Sequence, residues 1–279
     1  MTLDKVEKLN NSLIQHGKEN DRVYLMKLDA RDLLGMLEEL NRIAEDNGYT
    51  KIFAKVPADK GNMFLKNGYI QEAAIPGFYK GAKGCLFLAK YFSEDRKNEK
   101  NMHEITKIIN ISIRKSKKKK CGSVSHKYLL QKAIPDDVVE MSDLYNEIFE
   151  TYPFPIGNPN YLRATMEKNI NYYTIRDGQK IVAISSAEID YDSRNAEMTD
   201  FAIFPEYRGK HLAKCLLEHM EMEMQSSDVK TVYTIARAMS YGMNITFSKT
   251  NYQFAGTLIN NTNISGQIES MNVWYKNLL

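Results

Sequence analysis

Thr199-Asp200-Phe201-Ala202-Ile203-Phe204-Pro205-Glu206-Tyr207-Arg208-Gly209-Lys210-His211-Leu212-Ala213 carries an apolar strand into a tight glycine turn and straight on into an amphipathic helix. Amides in the first turn of a helix lack internal partners and sit at the positive end of its dipole. Glycine lets the backbone approach a ligand closely, so this turn is a ready-made seat for a pyrophosphate. Arg208 and Lys210 add positive charge beside it. Alone, a strand-glycine-helix turn is a weak signal, since many α/β proteins have one.

Downstream, the spacing of Leu212, Leu216 and Met220 predicts a helix over 210–225, followed by a strand at 230–236, a helix at 243–249 and strand pieces at 254–259 and 271–275. Upstream, 172–175, 180–186 and 196–204 read as strands. Asp177-Gly178 makes a hairpin turn between the first two. Val138, Met141, Leu144, Tyr145, Ile148 and Phe149 share one face of a helix within 135–152, ended by Pro153 and Pro155. The predicted organisation is an α/β half-domain at 1–92, a charged linker at 93–127 and a main domain at 128–279. Residues 1–20 are polar and read as an arm or first helix. Strands are expected at 23–28, 51–56, 69–74 and 86–92, with a helix over 32–47 and a short one ending near Lys66. The order helix, strand, short helix, turn plus Tyr, strand, strand occurs at 32–92 and again at 212–276. That order suggests a degenerate duplication, the alternative being chance likeness of two α/β segments. The first copy lacks an Arg-Gly turn, so no second cofactor site is expected.

The chain has 279 residues, 43% hydrophobic and 26% charged, enough apolar material for a core. No apolar run approaches the ~20 residues needed to cross a bilayer. The first residues lack the apolar core of a secretory signal, so the expected compartment is cytoplasmic. Cys85, Cys121 and Cys215 form neither a disulfide framework nor a metal cluster, and no metal is expected. A net charge of +3 does not point to nucleic acid. The Lys117–Lys120 run reads as a solvated connector, with polyanion docking as the rival. Neither a nucleic-acid nor a membrane partner is expected, and a homodimer is the assembly considered.

Pro205-Glu206-Tyr207-Arg208-Gly209-Lys210, with Leu212-Ala213 after it, resembles the acetyl-CoA pyrophosphate loop of the GCN5-related N-acetyltransferase (GNAT) superfamily. The run Asn244-x-x-Phe247-x-Lys249-x-Asn251-Tyr252 is similar to its second cofactor-contacting helix. The resemblance implies a mixed, mostly antiparallel sheet flanked by helices. It also implies cofactor contacts at Phe201, Ile203, Arg208, Gly209, Lys210, His211, Leu212, Ala213, Asn244 and Phe247. His211 stands where the family has Gly or Ala. It is expected in right-handed helical torsions, either crowding a phosphate, aiding it when protonated, or lying idle on the surface. Thr199-Asp200-Phe201-Ala202, Tyr241-Gly242-Met243-Asn244, Thr257–Gly266, Met271-Asn272-Val273-Trp274 and the N-terminal stretches Tyr49–Pro57 and Ile75–Tyr79 look like the β-lysine N-acetyltransferase branch. That branch implies acetylation of the distal amine of (S)-β-lysine, giving an osmolyte. A polyamine or other small-amine acetyltransferase, and a non-catalytic regulator that senses acyl-CoA, are the alternatives.

An alkyl amine is protonated at neutral pH and must lose its proton before attack. Asp200 and Glu197, on the strand before the turn, are the candidates to hold or deprotonate it. Strict alternation would put residues 200 and 202 on one face and 201 and 203 on the other. An aspartate amid Phe201, Ala202 and Ile203 is costly to bury without a partner. A structural hydrogen-bonding role for it stays open. Glu188 and Asp190 are weaker candidates. The family often uses a tyrosine as general acid where this chain has Phe247; Tyr241 is the candidate substitute, and plain packing is its other reading. Asn244 is expected to bond the cofactor's pantetheine arm. Asn260, Asn261 and Asn263, with Thr262, are expected in a substrate loop between the last strands, or else in an asparagine-rich turn. The N-terminal half is expected to cover the substrate pocket or to form a dimer surface.

Overall fold

A computed structural model of the chain describes residues 4–116 and 127–278. Lys117–Lys120, the basic run, and Cys121 lie outside the described residues. The N-terminal half runs β1 (Lys5–Leu9), β2 (Ser12–Gly17), β3 (Arg22–Lys27), α1 (Leu33–Asn47), β4 (Lys51–Pro57), α2 (Gly61–Leu65), β5 (Ile70–Tyr79) and β6 (Lys83–Tyr91). Then come α3 (Glu94–Lys97) and α4 (Met102–Ser116). The second half runs β7 (Tyr128–Lys132), α5 (Val138–Ile148), α6 (Pro159–Met166), β8 (Ile170–Asp177), β9 (Lys180–Asp190), β10 (Asn195–Ile203), α7 (Leu212–Ser226), β11 (Thr231–Arg237), α8 (Tyr241–Lys249), β12 (Gln253–Ile264) and β13 (Gln267–Asn277).

The strands form a single sheet in the order β1-β2-β3-β4-β6-β5-β12-β13-β11-β10-β9-β8-β7. Most neighbours are antiparallel. The described pairs β3–β4 and β10–β11 are parallel, as expected where a helix crosses between two strands. Each half thus has the sequence of pairings parallel, antiparallel, antiparallel, and the halves meet where β5 touches β12. That meeting is one bridge, Gly256 to Ala73. Gly256 has φ 149°, and a Cβ there would sit 2.0 Å from the Glu72 carbonyl oxygen. Only glycine fits so close an approach.

Polar groups tie the two halves further. The buried Lys51 ammonium lies 2.9 Å from Glu72 and donates to the Ile259 carbonyl at 2.7 Å. Arg96 donates to the Asn260 carbonyl at 2.6 Å and to the Asn20 carbonyl at 2.7 Å.

Residues 4–20 do not form an arm or helix: β1 and β2 make a hairpin at the sheet edge. Ser12, Ile14 and Gln15 are buried, and Asn10 takes the left-handed turn conformation that asparagine tolerates. Between the halves, α4 buries Ile105 and Ile108, and its Ser112 carbonyl accepts from Ser248 of α8 at 2.9 Å. Helix α6, absent from the sequence reading, follows Asn158 as N-cap and Pro159 at its first position. No described helix is long and apolar enough to cross a membrane.

Candidate active site

Two irregularities in β10 build the site. Its antiparallel register with β9 runs Glu197 to Glu188 and Thr199 to Ser186, then slips to Ala202 with Ile184. Asp200 lies in this bulge with φ 54°. On the other side, parallel pairing with β11 covers only Asn195–Glu197 against Thr231–Tyr233. Beyond that point the two strands part. A bulge re-aims side chains as well as backbone. The alternation expected from the sequence therefore fails here, and Asp200, Phe201 and Ile203 all line one cleft.

The glycine turn follows. Pro205–Tyr207 make one 3-10 turn, Gly209 has φ 79°, and α7 starts at Leu212 with no side-chain cap. A Cβ on Gly209 would meet nothing within 4 Å, so its torsion rather than space demands glycine. His211 corrects the sequence reading: it is left-handed, φ 62° and ψ 16°, rather than right-handed. Histidine is among the non-glycine residues found most often in that region. Two left-handed residues bend the chain so that the uncapped first turn of α7 faces the cleft, the geometry of an anion seat.

The cleft has a volume of about 1280 Å³ and draws walls from both halves. Arg208, Gly209, His211, Leu212 and Ala213 lie at one end, with Met243, Thr246 and Phe247 of α8. Phe201 meets Phe247 edge to face at 5.6 Å. The opposite wall is the sheet face of the N-terminal half: Gln15, Arg22, Tyr24, Phe53 and Lys55. That half therefore covers the cleft.

Between the two ends sit three carboxylates. Glu188 and Glu197 are direct cross-strand neighbours, an arrangement that is unfavourable when both are charged. Burial pushes Glu188 up to about 8, the charges of Glu197 and Asp200 add to the rise, and Lys55 opposes it. Burial also raises Glu197, against the pull of Lys55 and a hydrogen bond from Tyr233. Asp200 is raised by burial, opposed by hydrogen bonds from Ser186, Tyr152 and Thr199. Ser186 donates to Asp200 Oδ2 at 2.6 Å and Tyr152 donates to Oδ1. Burial works against the Lys55 charge, but Tyr24 and Glu197 outweigh it and hold the ammonium above its usual range. Lys55 also donates to the Tyr233 hydroxyl at 3.2 Å.

Several expected site residues lie elsewhere. Asn244 is fully buried. Its Nδ2 donates to the carbonyls of Ser240 (2.7 Å) and Arg237 (3.0 Å), and its Oδ1 accepts from Asn272 and Trp274, both at 2.9 Å. With both ends of its amide engaged, it braces α8 against β13 instead of offering itself to a ligand. Tyr241 points outward and donates to Glu104 of α4, so it does not stand in for the acid at Phe247. Lys210 lies over the Tyr207 ring at 4.4 Å, outside the cleft lining. Asn260–Asn263 are not a loop: they belong to β12, where Thr262 pairs with Glu269 and Asn263 with Ile268 past a bulge. Asn260 donates to the Arg96 carbonyl and Asn263 to the Glu19 carbonyl, whereas Asn261 and Thr262 reach the cleft.

Sequence reasoning did not bring Arg22, Tyr24, Lys55 and Tyr233 to the cleft, whose lining also holds Glu188. Lys55 sits in the apolar strand Ile52-Phe53-Ala54-Lys55-Val56, and the cost of burying a lone charge, applied to Asp200, singles it out equally.

The sequence profile of the acetyltransferase (GNAT) family matches residues 138–240. The chain is 40% identical over 274 residues to the beta-lysine N(6)-acetyltransferase of Methanococcus maripaludis, covering 98% of this chain and 99% of that one. It is 32% identical over 267 residues to N-acetyltransferase YodP of Bacillus subtilis, covering 96% of each. It is also 32% identical over 271 residues to the beta-lysine N(6)-acetyltransferase of Methanosarcina mazei, covering 88% of this chain and 100% of that one.

Proposed function

The chain belongs to the GNAT family of N-acetyltransferases, and from that premise we propose that it transfers an acetyl group from acetyl-CoA to the distal amine of β-lysine. The observation that carries the reading is the run of three carboxylates, Glu188, Glu197 and Asp200, in a cleft that ends at the uncapped start of α7. The residues fit the cofactor: the Gly209 turn and the amides of Leu212 and Ala213 suit a diphosphate, and the parted edge of β10 with Phe247 suits its arm. Bound there, acetyl-CoA supplies an activated acyl thioester.

The protein's own part is to receive an ammonium, remove its proton and orient the amine. A free alkyl ammonium has a pKa near ~10. Glu188, held near 8 and without a hydrogen-bond donor among the described residues, is the base matched to it. Asp200, fixed by Ser186 and Tyr152, orients the nitrogen. Glu197 and Lys55 offset one another's charge beside them. Backbone donors of β10 beyond Glu197, which β11 does not engage, are assigned to the acyl carbonyl.

The test is thiol release from acetyl-CoA with β-lysine, lysine, spermidine and 1,4-diaminopentane, with the acetylated nitrogen located by NMR. Preferred acetylation of β-lysine at its distal amine is expected. Preference for spermidine, or no turnover on any amine, would defeat the reading.

A further inference from the structure

Arg22 is 4% exposed, in the wall of the cleft supplied by the N-terminal half. Its Nη1 donates to the Asn261 carbonyl and, at 3.2 Å, to Thr262 Oγ1. Its Nε has no acceptor, and no described carboxylate pairs with the guanidinium. Asp4, an acid whose charge it feels, is engaged instead by the amides of Glu19 and Asn20 and by the Asn20 side chain. The faces of Tyr24 and Phe53, 5.2 and 5.7 Å from the guanidinium carbon, offset part of the cost of burial. A buried cation left without a counter-ion is nonetheless expensive to keep. Burial lowers its pKa to about 10, so the group stays charged at neutral pH.

Two amides of the cleft lining are also half satisfied. Gln15 donates through Nε2 to the Pro153 carbonyl at 3.1 Å while its Oε1 has no donor. Asn261 donates to Thr262 at 3.3 Å while its Oδ1 has none. The antiparallel register pairs Gln15 with Tyr24 and Gly17 with Arg22, which places Gln15, Arg22 and Tyr24 on one face of the sheet. The cleft is thus polarised. An unpaired cation with two donor-seeking oxygens lies on one wall, and the carboxylates of Glu188, Glu197 and Asp200 lie on β9 and β10.

We propose that Arg22, flanked by Gln15 and Asn261, receives the carboxylate and adjacent ammonium of a β-amino acid head, while the far amine of the same molecule reaches the carboxylates of β9 and β10. This deepens, and rests on, the N-acetyltransferase reading above. It makes the N-terminal half the element that selects a diamino acid over a plain diamine. A guanidinium matches a carboxylate with two parallel donors, which a diamine cannot engage. A missing charged hydrogen bond is expected to weaken selection by roughly 10- to 100-fold.

The experiment compares kcat/KM for β-lysine with that for 1,4-diaminopentane, the same skeleton without its carboxylate. Wild type, Arg22→Gln and Arg22→Lys are measured, each checked by thermal melting and by acetyl-CoA calorimetry. Wild type is expected to favour β-lysine, and Arg22→Gln to collapse that ratio by about tenfold or more, mainly through KM. Arg22→Lys, which keeps a charge to hold Asn261, is expected to fold and lose selectivity by a smaller factor. An unchanged ratio in a folded variant of either kind overturns the Arg22 assignment while leaving the enzyme reading intact. If Arg22→Gln does not fold, the Arg22→Lys ratio decides alone. A wild type that acetylates neither compound removes the enzyme reading itself, and this assignment with it.

Discussion

Glu188 and Glu197 stand directly opposite one another across β9 and β10, two carboxylates in the register position where like charges repel. Such a pair keeps a proton to a higher pH than a solvated carboxyl does, and burial pushes Glu188 up to about 8.

Activity should follow that proton. A base works only when deprotonated, and kcat/KM reports the groups of the free enzyme, so kcat/KM should rise with pH through about 8 as Glu188 ionises. Glu188→Gln should lower kcat by about 100-fold or more and erase this limb of the profile. A profile of unchanged shape in the variant would transfer the role to another group.

Stability should move the opposite way. The unfolded chain gives up this proton near ~4.3, the folded chain near 8, so between those values the folded state binds more protons and loses stability as pH rises. Glu188→Gln cannot ionise, and it should melt above wild type at pH 8.5, by about 2–4 °C for each kcal/mol relieved. Equal melting points at that pH would contradict the repulsion.

Gly209→Glu should leave the fold intact, since a Cβ there meets nothing within 4 Å, yet oppose both the left-handed torsion and any anion at the start of α7. Calorimetry should find acetyl-CoA affinity reduced by roughly 100-fold or more. Unaltered affinity would place the diphosphate elsewhere.

Asp200→Asn replaces an acceptor of two hydrogen bonds by a group that can accept at only one end, setting its NH2 against Ser186 or Tyr152. Turnover should fall by about tenfold or more, with a stability loss of about 1–3 kcal/mol by denaturant titration. A variant with wild-type turnover would leave Asp200 a purely structural role.

Asn244→Ala separates the role read from sequence from the one seen in the fold. It strips partners from the Trp274 and Asn272 side chains, and should cost about 2–4 kcal/mol in urea unfolding while the folded fraction binds acetyl-CoA normally. Reduced affinity without lost stability would restore Asn244 to the cofactor site.

What the sequence disclosed were the features written locally. Gly209 between a strand and an amphipathic helix, and Asp200 amid Phe201, Ala202 and Ile203, are readable because torsion and burial cost act within a few residues. The bulge at Asp200 was hidden, since nothing in a linear pattern announces a register slip against β9. Asn260–Asn263 misled because turn-favouring side chains were overridden by pairing with β13. The capture of Asn244 by Trp274, and the arrival of Arg22 and Lys55 in the cleft, depend on contacts between segments far apart in the chain.

The bridge at Gly256 and Ala73 makes the first ninety or so residues something other than a detachable accessory. A fragment cut back to residues 128–279 would strip β12 of its neighbour and bare a raw strand margin, the kind that nucleates clumping. It would also lose the wall of its reaction chamber that carries Gln15, Arg22, Tyr24, Phe53 and Lys55. Shortened versions should therefore come out of cells as insoluble material rather than as smaller, less choosy catalysts.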